Sequence, residues 1–310
     1  MGRFIARRLI WLVPTILAMS LITFALMHAT PGSPLQPMAA NANPLPPGAQ
    51  ENLKHAWGLD KPLWQQYVTF LWKGLHLDFG TSYVFRTRAV SDILRQTFPI
   101  SLELGLMALG LAIIIGIPLG ILAAVNQNGP IDYLSSFMAT LGVAVPNFVL
   151  GLFMIVLFVL ILHILPDTGG WNGPVDWIMP ALALGLGPLG ILARYTRSSM
   201  VEVLRQDYIR TAQAKGLAPS RVVIAHAVKN GLIPPLTILG PMFAAIGTGS
   251  FFVETIFRVP GMGQFFVTSM INRDYPMIMA VILLYGVFLA FMNLVVDVCY
   301  GVVDPRIRLS

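Results

Sequence analysis

The stretch Pro99–Val125, PISLELGLMALGLAIIIGIPLGILAAV, decides the fold class because it is an apolar run with one charged residue, Glu103. A helix needs about 20 mainly apolar residues to cross a bilayer. Six stretches of the 310-residue chain reach or approach that length. They are residues 9–29, 99–125, 134–164, 177–193, 232–253 and 277–303. The sequence therefore predicts an all-α polytopic membrane protein with six spans in a single transmembrane domain, residues 1–310.

The composition supports this class and argues against two others. Only 11% of the residues are charged, against about 25% in an ordinary soluble domain, and the mean hydropathy is +0.73. The net charge of +6 does not indicate nucleic-acid binding, because most basic residues lie where the positive-inside rule places them. Cys299 is the only cysteine, which excludes a disulfide framework or a cysteine metal site within the chain.

Lysine and arginine positions predict the orientation of the bundle. Six of the eight basic residues predicted outside fall in the long segment 31–98, which the rule discounts because long loops cross regardless of charge. We therefore expect both termini and residues 194–231 on the cytoplasmic side. Twelve of the 20 basic residues then lie inside: Arg3, Arg7, Arg8, Arg194, Arg197, Arg205, Arg210, Lys215, Arg221, Lys229, Arg306 and Arg308.

The first apolar run has two interpretations. Arg3, Arg7 and Arg8 precede it, as basic residues precede the apolar part of a secretory signal. The run is longer than a typical signal, and no small-residue cleavage site follows it clearly. We expect an uncleaved first span.

Glycine and proline recur inside the predicted spans. Gly116 and Gly120 have the GxxxG spacing that lets two helices approach closely. Pro146, Pro188 and Pro241 lie within other spans. The favoured interpretation of these glycines and prolines is tight packing of the bundle. The alternative is kinks that let the bundle flex between two states.

The outer segment 31–98 is too polar to span. Residues 32–48 are rich in proline, alanine and asparagine and indicate a loop. After Asp60 and Pro62, apolar residues recur at helical spacing with Trp64 and Trp72 beside them. This pattern predicts an amphipathic helix at the outer interface. It can serve as a structural lid on the bundle or as a docking surface.

The sequence contains no catalytic or cofactor motif in the structural context that such a motif requires. Gly185-Leu-Gly187-Pro-Leu-Gly190 matches the dinucleotide fingerprint, but it lies in an apolar span and carries a proline, which favours helix packing. The chain has no phosphate-loop, HExxH or GxSxG sequence. The histidines lack ligand spacing; they are His28, His55, His76, His163 and His226. We predict no catalytic, cofactor or metal site in this chain, and the sequence assigns no residue to a substrate path.

Three ionisable residues lie in or near the spans. A charge at membrane depth is costly, and it suggests a function by default. Glu103 and Glu254 are expected near the outer ends, where water reaches them. Asp297 follows Asn293 by one helical turn, and the two are expected to form an interhelical hydrogen-bonding pair. Structural roles are favoured, because no chain of such groups runs through the bundle.

The inner segment 197–235, RSSMVEVLRQDYIRTAQAKGLAPSRVVIAHAVKNGLIPP, is the most informative about function. It predicts two short helices separated at Gly216, a residue able to take the left-handed conformation that ends a helix. Ser220 is expected to cap the second helix. One stripe of the first helix carries Val201, Leu204, Tyr208 and Ala212, continued by Lys215. A short rigid helix on an inner loop can fit a groove on a soluble protein; a solvated connector is the alternative.

Residues 207–217, DYIRTAQAKGL, resemble the cytoplasmic signature of ABC-importer permeases, a Glu-Ala-Ala followed after three residues by Gly. Ala212 and Gly216 match that signature, whereas Arg210 and Thr211 replace the Glu and the first Ala. The likeness to the oligopeptide/dipeptide permease family extends along the chain. Its further motifs are ARRL at Ala6, PGSP at Pro31, RSSMVEVL at Arg197, VETIFRVPGMG at Val253, NRDYP at Asn272 and DPRIR at Asp304, with GGWNG at Gly169 and GPMFAAIGTGS at Gly240 most like the oligopeptide-type subunit.

The resemblance implies a type I ABC-importer permease of a bacterial cytoplasmic membrane. Its implied partners are a second permease, two ATP-binding subunits that bind ATP and Mg, and an extracytoplasmic peptide-binding protein. The residues that it places at the ATPase contact are Tyr208, Ala212, Lys215, Gly216, Leu217 and Arg221. The cargo would be oligopeptide or dipeptide, with nickel or glutathione as alternatives within the family. A secondary transporter would instead show inverted repeats, and an intramembrane enzyme paired catalytic groups; neither is detected in the sequence.

Overall fold

The computed structural model describes residues 2–35, 47–85, 88–166 and 170–303. The predicted loop 32–48 falls largely outside these ranges, as do Arg306, Arg308 and the DPRIR motif. Within them the chain is helical, apart from connecting turns and one isolated bridge between Thr81 and Ala89.

Four helices are long and apolar enough to cross a membrane without a break: Ile10–Ala29, Val90–Val125, Pro174–Leu204 and Tyr275–Asp297. Two further spans are bent pairs of helices. Counting each pair as one span, the described residues contain six spans, in agreement with the number predicted. The bend at Pro146 agrees with the kinks considered as the alternative for the proline-bearing spans, whereas the bend at Leu232 was not predicted.

The helices, in chain order, are numbered from the amino end. They are α1 (Gly2–Ala29), α2 (Pro47–Ala56), α3 (Leu63–Leu75), α4 (Val90–Leu111), α5 (Ile117–Val125), α6 (Pro130–Ala144), α7 (Asn147–Met154), α8 (Pro174–Leu204), α9 (Asp207–Ala214), α10 (Pro219–Arg221), α11 (Val228–Gly231), α12 (Ile233–Gly247), α13 (Phe251–Ile256), α14 (Gly263–Ile271) and α15 (Tyr275–Val303). Wider π-helical turns join α4 to α5 and α10 to α11 and extend α7.

The third span, predicted over residues 134–164, is bent by 104° between α6 and α7. Pro146 explains the break. A residue before proline is pushed out of the helical region, and Val145 has an extended conformation (φ −89°, ψ 122°). The fifth span is bent by 50° at Leu232, just before the prolines Pro234 and Pro235.

The fourth span is much longer than the predicted 177–193. Helix α8 runs from Pro174 to Leu204, so the RSSMVEVL stretch continues this span and is not part of a separate inner helix. No glycine or proline interrupts the sequence after Gly190, which lets the helix extend past the basic residues at Arg194 and Arg197. The second span likewise begins at Val90, nine residues before Pro99.

Glycines bring α8 into backbone contact with its neighbours. A Cβ at Gly116 would lie 2.8 Å from the carbonyl oxygen of Leu189, and one at Gly120 would lie 2.6 Å from that of Ala193. On α8 itself, a Cβ at Gly185 would lie 2.9 Å from the carbonyl oxygen of Ala108. The prediction that these glycines allow close helix packing is therefore confirmed for the GxxxG pair and for the GxGxxG match.

The amphipathic helix of the outer segment is confirmed as α3. Trp64 and Trp72 are 69% and 65% exposed, while Tyr67 on the other face hydrogen-bonds Ser20 of α1 over 2.8 Å. A second attachment lies at Asp274, the residue before α15. Its buried carboxylate accepts hydrogen bonds from the Ser82 hydroxyl and from the backbone N–H of Tyr83 (3.1 Å).

We expect Gly120→Leu to destabilise the protein by about 1–3 kcal/mol, because the larger side chain cannot enter the backbone contact with α8. The measurement is the midpoint of thermal unfolding of the full chain in detergent. Gly110→Leu is the matched control, since a Cβ there meets nothing within 4 Å. Equal losses in the two variants would contradict the packing account.

Candidate functional site

The short helix α9 sits at one end of the bundle, between the end of α8 and the start of α10. Arg205 and Gln206 separate it from α8, so Val201 and Leu204 belong to a different helix from Tyr208 and Ala212. The single stripe predicted for these residues is therefore wrong. Asp207 and Arg210 do approach each other, with 3.7 Å between carboxylate and guanidinium.

The inward face of α9 packs against the bundle. Ile209 is fully buried and Ala212 is 6% exposed. They join a core cluster whose other buried members are Ala124, Met200, Val222 and Ala227. Ala212 thus anchors α9 to its own chain, and the prediction that it faces an external groove is wrong.

The outward face of α9 is open. Tyr208 is 42% exposed, and its hydroxyl accepts a hydrogen bond of 2.8 Å from the side-chain amide of Asn230. Ala214 and Lys215 are exposed at the carboxyl end of the helix. These positions are therefore part of the exposed surface of α9.

Gly216 has φ +77°, so the predicted left-handed helix end is confirmed. A Cβ there would meet no atom within 4 Å, which means that glycine is needed for its backbone conformation alone. The next helix begins at Pro219 with Ala218 at its N-cap, so the predicted cap at Ser220 is wrong. Proline is favoured at the first helical position, and with Pro219 there Ser220 lies inside the helix.

The other two predicted contact residues differ in burial. Leu217 is partly buried against the same core cluster as Ala212. Arg221 is exposed on α10. The structure thus brings Tyr208, Lys215, Gly216 and Arg221 to the surface and turns Leu217 inward with Ala212.

An ion pair that the sequence analysis missed braces this end of the bundle. The guanidinium of Arg197 on α8 makes two hydrogen bonds to the carboxylate of Asp132 on α6, one of them 2.6 Å long. The same carboxylate accepts the backbone N–H of Asn128 at 2.8 Å. Bidentate pairing fixes orientation as well as distance. It ties the turn between α5 and α6 to the stretch of α8 that leads into α9.

At the opposite end of the bundle, Glu254 of α13 is 1% exposed, so the expectation that water reaches it is wrong. Its carboxylate accepts hydrogen bonds from the Ser101 hydroxyl and the backbone N–H of Gly263, both 2.7 Å long, and from Ser250 N–H at 3.2 Å. The Ser101 oxygen in turn accepts the backbone N–H of Met262 at 2.7 Å. One carboxylate thus organises the VETIFRVPGMG segment around Ser101 of the second span.

Burial raises the pKa of the Glu254 carboxyl, while hydrogen bonds from Ser101, Gly263 and Ser250 act in the opposite direction. Glycines make room for this group. A Cβ at Gly261 would lie 2.5 Å from the Glu254 carboxyl carbon. The signal available in the sequence was an acidic residue within a glycine-bearing motif, but nothing there named Ser101 as its partner.

The remaining predicted charges have structural partners. Glu103 accepts a hydrogen bond of 3.0 Å from the indole N–H of Trp171. Asp297 pairs with Arg8 of α1 at 2.8 Å, so the expected interhelical contact is confirmed for Asp297. The Arg8–Asp297 pair joins the first and last spans.

Comparisons with known proteins identify the family of this chain. The "Binding-protein-dependent transport system inner membrane component" family matches residues 116–309, and the N-terminal family model of the same transport-system membrane components matches residues 1–105. The chain belongs to this family. The chain is 43% identical to the dipeptide transport system permease protein DppB of Bacillus subtilis (strain 168) over 309 residues, covering 100% of this chain and 99% of the relative.

A second relative is the oligopeptide transport system permease protein OppB of Escherichia coli (strain K12). It is 40% identical over 310 residues, covering 99% of this chain and 100% of that protein. Among solved structures, the inward-facing MetNI methionine ABC transporter aligns with a TM-score of 0.55 at 16% identity, covering 68% of this chain and 96% of that chain. An amino acid ABC transporter crystallised with histidines aligns with a TM-score of 0.52 at 15% identity, covering 67% and 93%. At these identities the two structures show a shared fold, that of ABC-importer transmembrane subunits.

We expect Glu254→Ala to lower the stability of the chain by several kcal/mol, because each buried donor left without a partner costs about 1–3 kcal/mol. Thermal unfolding of the full chain in detergent measures the change. Glu202→Gln, at an exposed position of α8, serves as the control and should leave the midpoint unchanged. A midpoint for Glu254→Ala equal to that of the control would show that this carboxylate does not hold the segment together.

Proposed function

We propose that this chain is the transmembrane subunit of an ATP-binding-cassette importer that forms, with a second permease, the path for dipeptide or oligopeptide uptake. The observation that carries the proposal is full-length similarity at 40–43% identity to permease subunits of dipeptide and oligopeptide transport systems. The proposed location is a bacterial cytoplasmic membrane, with both termini and α9 on the cytoplasmic side. The basic residues of segment 194–231 support this orientation.

The proposed partners divide the work. Two ATP-binding subunits dock on the cytoplasmic face, where they bind ATP and Mg and hydrolyse ATP. An extracytoplasmic binding protein delivers the peptide to the opposite face. The outer helix α3, with its exposed Trp64 and Trp72, is a candidate for contact with that protein or for covering the mouth of the path.

The coupling element in this proposal is α9. Its inward face is fixed by Ile209 and Ala212, its end is set by Gly216, and the Asp132–Arg197 pair braces the helix that leads into it. A helix held in this way moves with the bundle. Closure of the ATP-binding subunits against its outward face would therefore be transmitted to the spans as rigid-body motion.

The docking surface is tested by Ala214→Trp. The bulky side chain lies on the exposed face of α9, so we expect it to abolish peptide uptake and co-purification of the ATP-binding subunits while the chain accumulates normally. Ala56→Trp, at an exposed position of α2, is the control and should leave co-purification intact. Ala212→Trp should instead reduce accumulation, because Ala212 is buried. Normal uptake and co-purification with Ala214→Trp would leave α9 as a solvated connector.

The helix end is tested by comparing two substitutions at Gly216. Valine should reduce uptake strongly, because a β-branched residue opposes the left-handed conformation by about 1–2 kcal/mol. Asparagine tolerates that conformation and should retain most of the uptake. Transport assays in cells with matched amounts of each variant make the comparison. Equal uptake by the two variants would mean that the conformation at residue 216 does not matter for coupling.

A further inference from the structure

An apolar cavity of about 700 Å³ lies between α1, α3, the first turns of α4 and the middle of α15. Apart from Ser91, Arg95 and a glycine, its lining residues are hydrophobic. They include Leu12 and Ile16 of α1, Leu71 and Leu75 of α3, and Leu284 and Val287 of α15. The cavity is open to the outside of the chain, so an apolar group that enters it can make many dispersion contacts with its lining.

Arg95 of α4 is the one charged residue that lines this cavity. It is exposed, and no hydrogen bond or ion pair joins it to another residue in the described part of the chain. Asp92, three residues earlier on α4, is not among the lining residues. The cavity therefore combines a large apolar surface with a single uncompensated positive charge.

The surrounding elements indicate where the cavity lies relative to the bilayer. Two of its walls belong to Ile10–Ala29 and Tyr275–Asp297, which are long and apolar enough to cross a membrane. A third wall is α3, which exposes Trp64 and Trp72, and tryptophan is enriched where hydrocarbon meets the headgroups. The cavity thus extends from the hydrocarbon region to the membrane interface.

We propose that this cavity binds an anionic phospholipid, with an acyl chain in the apolar space and the headgroup phosphate against Arg95. The assignment goes beyond the transport function and does not depend on which peptide is carried. A lipid satisfies both properties of the site at once, since its chain matches the apolar lining and its headgroup matches the cation. A water-soluble ligand would leave the apolar lining without a partner.

Native mass spectrometry of the purified full chain tests the headgroup assignment. With equal amounts of phosphatidylglycerol and phosphatidylcholine added in detergent, we expect about fivefold preferential retention of phosphatidylglycerol, the factor that one basic residue near a membrane surface supplies. Arg95→Gln should abolish the preference. Arg258→Gln is the control, because Arg258 is exposed and does not line the cavity.

The acyl-chain assignment is tested by filling the cavity. Val287→Trp should lower the number of retained phospholipids, whereas Val156→Trp should not; these valines are 45% and 46% exposed, and Val156 does not line the cavity. A photoreactive residue placed at position 287 tests the assignment in intact membranes, without purification of the chain. We expect it to form a covalent adduct with a phospholipid. Retention of the phosphatidylglycerol preference in Arg95→Gln would overturn the proposal. So would capture of a protein instead of a lipid at residue 287.

Discussion

Backbone contact between helices is the constraint on which this fold depends. In a bilayer, apolar side chains gain little by leaving lipid for protein, so helices associate through close packing. Helix α8 contains the residues that permit it. Gly185 meets the backbone of α4 at Ala108, and Gly190 meets that of α6 at Ala139. Glycines on the second span complete the contact from the other side. These approaches set how closely the second span and α6 pack against α8.

Two polar clusters then fix what packing alone leaves free. At one end, the Asp132–Arg197 pair joins α6 to α8 next to α9. At the other, Glu254 gathers three donors from separate parts of the chain. Charged and polar groups buried in a membrane protein are tolerated when they are paired, and both clusters meet that condition. Each cluster joins segments that no continuous helix connects. Each end of the bundle is therefore held together by polar contacts as well as by packing.

Much of the fold could be predicted from the sequence because apolar length and glycine spacing are local signals. The number of spans, helix α3 and the helix end at Gly216 all follow from such signals. The break at Val145 follows from another local signal, since Pro146 stands in the middle of the apolar run and a kink there was an open alternative. The predicted fourth span is shorter than α8 because the apolar run ends before Arg194, although charge does not end a helix.

The candidate site was predicted less completely, for a different physical reason. Helical periodicity assigns residues to faces, but it cannot say which face meets the rest of the chain. Tyr208 and Ala212, spaced one turn apart, were assigned one direction, yet burial separates them. Likewise, the partners of Asp132 and Glu254 are 65 and 153 residues away in sequence, at Arg197 and Ser101. Only the folded arrangement identifies such pairs.

The continuity of α8 has a mechanical consequence. A helix of 31 residues is about 46 Å long at 1.5 Å per residue, so tilting it by about 10° displaces one end relative to the other by about 8 Å. Because α8 contacts α4, α5, α6 and α7 along this length, a tilt of α8 would carry these helices with it. The length of α8 would then enlarge a small rotation at the α9 end into a displacement of several ångströms near Trp171.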